Sequence, residues 1–177
     1  MQRAISMIQP VLDVSWVRQT RRNHGLEHAT IHMLSASVPD LRMVGRSDAG
    51  GFWLWGDVKT EDVEACANRA LSRMQAGEHN LALHPNCGTN FVTVAMLGSV
   101  AVMIALIGSE KERFGKLNRL PLVATALLFA ALIGQPLGIQ VQEHVTTLGD
   151  PGDLEIVEIK RMKQAGMTAH RVTTRSS

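Results

Sequence analysis

The sequence predicts an α+β membrane protein: two transmembrane helices joined to a small soluble domain of about two helices and β-hairpins. Three observations carry that class. Residues 80–109 and 120–142 contain no Asp, Glu, Lys or Arg, and each run approaches the ~20 apolar residues that cross a bilayer core. Ahead of the first run, stretches of helical and two-fold apolar spacing alternate. Behind the second, short β-branched segments follow a Pro-Gly turn. The expected domains are a metal-site region over 1–90, a two-helix transmembrane hairpin over 91–141, and a strand segment over 142–177 that packs on the N-terminal region.

Composition narrows the partners. The net charge of +2 comes from 18 basic and 16 acidic side chains with no long basic tract, and aromatic residues make up 4% with no tyrosine. Neither a nucleic-acid face nor a base-stacking platform is available, so no nucleic acid is expected. The first fifteen residues lack the basic and apolar regions of a signal peptide. Cys66 and Cys87 are too few for a disulfide framework. The alternative to two spans is a pair of buried helices in a soluble protein; both runs are apolar on every face, which favours the bilayer.

In chain order, residues 1–12 read as a loose or interfacial lead-in, with Met7, Ile8, Val11 and Leu12 open to a membrane surface and Pro10 limiting regular helix. Asp13 reads as the N-cap of a helix to about residue 37, with Arg18, Arg21 and Arg22 on its exposed side. Gly25 inside it costs about 1 kcal/mol relative to alanine, and either permits close backbone approach or is simply tolerated. Pro39 ends the helix. Segments 41–45 and 52–58 around Ser-Asp-Ala-Gly-Gly predict a hairpin with a longer loop. Trp53 and Trp55 share one face of it, as an interfacial anchor or as core, and Phe52 and Leu54 share the other. Thr60 reads as the cap of a helix with Glu61 and Asp62 in its first turn, a buried stripe of Val63, Ala67, Ala70 and Met74, Cys66 beside it, and a stop at Gly77. Beyond the second apolar run, Asp150-Pro-Gly-Asp153 predicts a turn, and 154–162 and 169–174 predict paired strands that join the first hairpin. The tail after Thr174 is expected to be disordered.

Two stretches carry chemistry. His24-Gly-Leu-Glu27-His28 has the H-x-x-E-H order of inverted zinc peptidases, in which two histidines four apart ligate zinc and the glutamate is the general base. Core histidines satisfied by hydrogen bonds are the bland reading, since Val14, Val17, His24, His28 and Ile31 fall near one stripe. His32 lies about 12 Å along the axis from His24 and reads as structural or as a support behind the ligands. The second stretch, His84-Pro-Asn-Cys87-Gly-Thr, lets an imidazole and a thiolate three residues apart converge on zinc.

With these motifs on the page, the chain resembles the YqhQ-like bacterial membrane family of predicted metal-dependent enzymes. His24 to His28 and His84 to Thr89 carry the resemblance. A looser third motif, Gln142, Thr146-Thr147, Pro151 and Leu154-Glu155-Ile156, follows that family's Gln-x-x-Thr-Thr, Pro and Leu-Glu-Val pattern at altered spacing. The Trp-rich hairpin, the two spans and Glu143-His144 inside the third motif depart from the family. The resemblance implies a metal site and no particular reaction.

The expected function is zinc-dependent, membrane-anchored hydrolysis of a peptide or membrane-protein substrate, with His24, His28, His84 and Cys87 as ligands and Glu27 as base. The rival is a closed structural zinc site on all four ligands, and haem ligation ranks behind both. Lys111, Arg113, Lys116 and Arg119 between the runs favour a cytoplasmic loop. Against that, about ninety residues would need translocation, and thiol ligation suits a reducing compartment. The soluble parts are expected in the cytoplasm.

Overall fold

The computed structural model describes residues 2–108, 115–164 and 166–176, so Lys111 and Arg113 of the connecting loop lie outside the described residues. The fold is mixed α+β, with a small sheet and two helices long and apolar enough to cross a membrane. It divides into two compact units, Met1–His84 with Glu143–Ser177, and Pro85–Gln142.

The first unit opens with α1 (Gln2–Leu12), a helix where the lead-in was expected to be loose. Pro10 sits late in it, where its ring removes a single ladder bond and leaves the earlier turn intact. Helix α2 (Ser15–Ser37) follows, and Val14 rather than Asp13 occupies its N-cap. The Asp13 carboxylate instead accepts from Gln9 Nε2 at 3.0 and 3.2 Å. Strands β1 (Val44–Asp48) and β2 (Gly51–Trp55) form a hairpin with a two-residue turn, tighter than expected because Gly51 adopts φ +136°. Helix α3 (Thr60–Gln75) stops before Gly77 at φ +101°. Lys59, not Thr60, is its N-cap; the Thr60 hydroxyl lies 3.3 Å from His170 Nε2. A 3₁₀ turn spans His79–Ala82.

Strands β3 (Glu155–Gln164) and β4 (Met167–Arg175) complete an antiparallel sheet of order β1-β2-β4-β3. A bulge between Ile156 and Glu158 lets Ile156 and Ile159, three apart, both pack against the core. Strand β4 carries order to Arg175, past the point where the tail was expected to fray. The core lies between the sheet and helices α2 and α3: Phe52 and Leu54 of β2 meet Leu26, Ala29 and Leu34 of α2, and Val63, Ala70 and Met74 of α3. Trp53 and Trp55 stack on the opposite face, centroids 5.9 Å apart, with the Arg171 guanidinium over Trp53. Arg171 also brackets the hairpin through the Asp48 carboxylate at 2.7 and 2.8 Å, which holds that carboxyl below its usual range.

The second unit holds α4 (Gly88–Ala105), the short α5 (Gly115–Asn118) and α6 (Leu120–Val141). Small residues bring α4 and α6 together: a Cβ at Gly134 would meet Val94, and one at Gly138 would meet Asn90. Asn90, buried, donates to the Pro85 carbonyl at 2.7 Å and accepts from Gln142 Nε2 at 2.6 Å.

Gly25 shows why a costly residue is kept in α2. A Cβ there would stand 2.6 Å from the Leu148 carbonyl oxygen and 3.2 Å from the Ala82 Cβ. Gly25→Ala is therefore expected to destabilise the protein by about 1–3 kcal/mol of overpacking, exceeding the ~1 kcal/mol gain in helix propensity. A thermal-unfolding midpoint at or above wild type would refute this.

Candidate metal centre

Helix α2 presents His24, His28 and His32 at successive four-residue intervals, and the 3₁₀ turn with the residues after it supplies both backbone partners and His84. Ring centroids of His24 and His28 are 4.4 Å apart, those of His28 and His84 5.6 Å, and those of His32 and His84 4.8 Å. One ring nitrogen of His24 lies within 4.8 Å of one of His28.

The tautomers follow from the acceptors. His28 Nδ1 donates to the Ala82 carbonyl at 2.7 Å, and His24 Nδ1 donates to the Thr146 carbonyl at 2.9 Å. A carbonyl only accepts, so in each neutral ring the proton is on Nδ1 and Nε2 keeps its lone pair. This is the outer-shell arrangement that orients metal-ligating histidines. His32 is reversed: its Nε2 donates to the Leu83 carbonyl at 2.8 Å, which suits the structural role expected of it. Burial, with His32 and His28 beside it, pushes the His84 imidazole down to about 4. A neutral His84 carries one unprotonated ring nitrogen at physiological pH, the form a metal ligand requires.

Glu27 leaves α2 toward β1. Its carboxylate is 4% exposed and accepts from the Ser47 hydroxyl. Space for it exists because residue 45 is glycine: a Cβ at Gly45 would stand 2.1 Å from Glu27 Oε1. Burial raises the Glu27 carboxyl above its usual range, and the Ser47 bond and the His24 ring pull it part of the way back. Cys87 belongs to the second unit and is the N-cap of α4, where its Sγ accepts from the Thr89 N–H at 3.4 Å.

Sequence reasoning missed Gly45, Ser47 and Arg21. The first two share a face of β1 through their two-residue spacing, and that spacing is the available signal. Arg21, expected on the exposed side, is buried and donates to backbone carbonyls.

Two outcomes follow from this geometry. Ser47→Ala removes the one bond that lowers the Glu27 pKa most, so the carboxyl is expected to titrate at higher pH in a ¹³C carboxyl NMR titration; an unchanged midpoint would contradict the contact. His84 binds its proton more readily when unfolded, so its contribution to stability is present above about pH 6.5 and is lost as pH falls toward about 4. In the metal-free protein, His84→Asn should flatten that part of the stability profile, measured by denaturant unfolding at successive pH values.

The comparisons with known proteins carry no activity. An uncharacterised protein of Picosynechococcus sp. is 31% identical over 166 residues, covering 88% of this chain and 78% of that protein. No solved structure matches significantly. Neither comparison names the YqhQ-like family or a metal-dependent reaction. The family match runs from residue 19 to residue 159, through the histidine row of α2, both apolar helices and the first part of β3, and on that match the chain belongs to the family described as a domain of unknown function (DUF6391).

Proposed function

We propose that the chain is a membrane-anchored, zinc-dependent hydrolase of peptide or amide bonds, with His24, His28 and His84 as ligands and Glu27 as general base. The observation that carries the reading is the pair of Nδ1–H bonds to the Thr146 and Ala82 carbonyls, which leaves two Nε2 lone pairs on one helix face. Imidazole and thiolate are the donors that zinc prefers. Cys87 follows His84 by three residues in the chain and is the natural fourth donor. Zinc at such a set, when bound, supplies a Lewis acid that brings the pKa of water to about 7. Glu27 supplies the proton acceptor: burial raises its pKa and so strengthens it as a base, and Ser47 fixes its orientation.

Bilayer insertion is part of the proposal. Gly88–Ala105 and Leu120–Thr146 each contain a window apolar enough to span, and 17% of each window is buried, unlike the core helix of a soluble protein. The first unit would then lie on the cytoplasmic side, where a thiol ligand stays reduced.

One observation favours the structural alternative. Glu27 is already engaged by Ser47 and is almost wholly buried. If Cys87 closes the tetrahedron, zinc would serve assembly and no position for substrate remains.

Elemental analysis of the detergent-purified protein tests both. His24→Ala and His28→Ala are each expected to lose the metal, Glu27→Gln to keep it, and Cys87→Ser to keep it only if the site is open. Full metal in the histidine variants would sink the site. Turnover of a peptide substrate is expected to vanish in Glu27→Gln, and unchanged turnover would leave only the structural reading.

A further inference from the structure

The segment after α6 makes a π-helical turn over Gln142–Thr146 and then crosses the first half of α2 as a strap. Its bonds converge on Arg21. One terminal nitrogen of this buried guanidinium, Nη2, donates to the His144 carbonyl at 3.1 Å and to the Thr147 carbonyl at 3.2 Å. Between those two residues lies Thr146, whose carbonyl accepts from His24 Nδ1 at 2.9 Å. The Leu148 N–H donates to the Arg21 carbonyl at 3.0 Å, so the strap is tied to the same turn of helix from both directions. Further along, Arg22 pairs with Asp153 at 3.0 Å.

A peptide plane rotates as a unit, and clamping the carbonyls at 144 and 147 leaves the carbonyl between them little freedom. A buried cation is costly unless its hydrogen bonds are met; here Nη2 is met by strap carbonyls rather than by a carboxylate, while Nε is buried without a partner. A role for Arg21 in capturing an anionic substrate is disfavoured, because that nitrogen is committed and the side chain is buried.

We propose that Arg21 is a positioning residue for His24: by clamping the 144–147 turn it holds the Thr146 carbonyl against His24 Nδ1, and so keeps His24 Nε2 unprotonated, the form a metal ligand requires. This gives the Thr146-Thr147 motif a function through its backbone. The purpose rests on the metal reading above, while the clamp itself does not.

Long-range ¹H–¹⁵N spectra of the imidazoles in the metal-free protein test the clamp directly, because the two tautomers differ in their nitrogen shifts. In the wild type, His24 and His28 are both expected as Nδ1–H tautomers. Arg21→Met is expected to turn His24 into a mixture and leave His28 unchanged, since the Ala82 carbonyl is outside the strap. Arg21→Lys, whose ammonium can serve both carbonyls, is expected to keep His24 in the wild-type form. The zinc dissociation constant is expected to rise about 10–100-fold in Arg21→Met.

Unchanged His24 signals in Arg21→Met overturn the proposal, and so do parallel shifts at His24 and His28, which would mean general loosening. A shift at His24 alone with unaltered zinc affinity upholds the clamp and overturns the purpose assigned to it, removing His24 from the ligand set. Should Arg21→Met fail to fold, the wild type still decides: His24 found as the Nε2–H tautomer cannot be donating to Thr146.

Discussion

The structure depends on one constraint: within two and a half turns, α2 buries Arg21, Asn23, Glu27, His28 and Thr30, and each must find a hydrogen-bond partner or lose free energy. Thr30 finds its own in the Leu26 carbonyl, at 2.7 Å. The others recruit from elsewhere. Asn23 donates to the Asp48 carbonyl and accepts from the Thr174 hydroxyl, which ties the helix to both the first hairpin and the last strand. Glu27 takes Ser47, His28 takes Ala82, and Arg21 takes the strap. The elements around α2 are thus placed by its polar groups as much as by the apolar core of Leu26, Ala29 and Leu34.

Much of the fold was legible because it is written in periodicity. The alternation of Phe52 and Leu54 with Trp53 and Trp55 put the two pairs on opposite faces of β2 and left open which face was inner; the core receives the first pair. Gly77 as a stop and Gly25 as a point of close approach follow from what a Cβ would do there. The caps were misread because Asp13 and Thr60 have other partners available, Gln9 in one case and His170 in the other. Propensity ranks a residue type, and a tertiary partner can outbid it.

The site was legible to a different depth. Helical spacing was enough to pair His24 with His28, and His84, already a candidate from its spacing to Cys87, lies beside His28 and His32. What could not be read is the identity of the groups that fix the rings. Thr146, Ala82 and Leu83 act through their carbonyls, and a carbonyl is the same whatever residue carries it. Arg21 was misplaced for a related reason: an arginine in a helix next to Arg22 reads as solvated until the strap that covers it is known.

The two ring clamps also differ in when they can exist. His28 meets its carbonyl across a sequence separation of 54 residues, and His24 across 122. The first partner leaves the ribosome before the apolar helices; the second follows both of them. A chain emerging from its N-terminus can therefore orient one imidazole early, while the other waits for the long loop to close. The histidine pair has both carbonyl partners only when the strap has been made. The two rings thus become oriented at opposite ends of synthesis, one before the apolar helices and one after them.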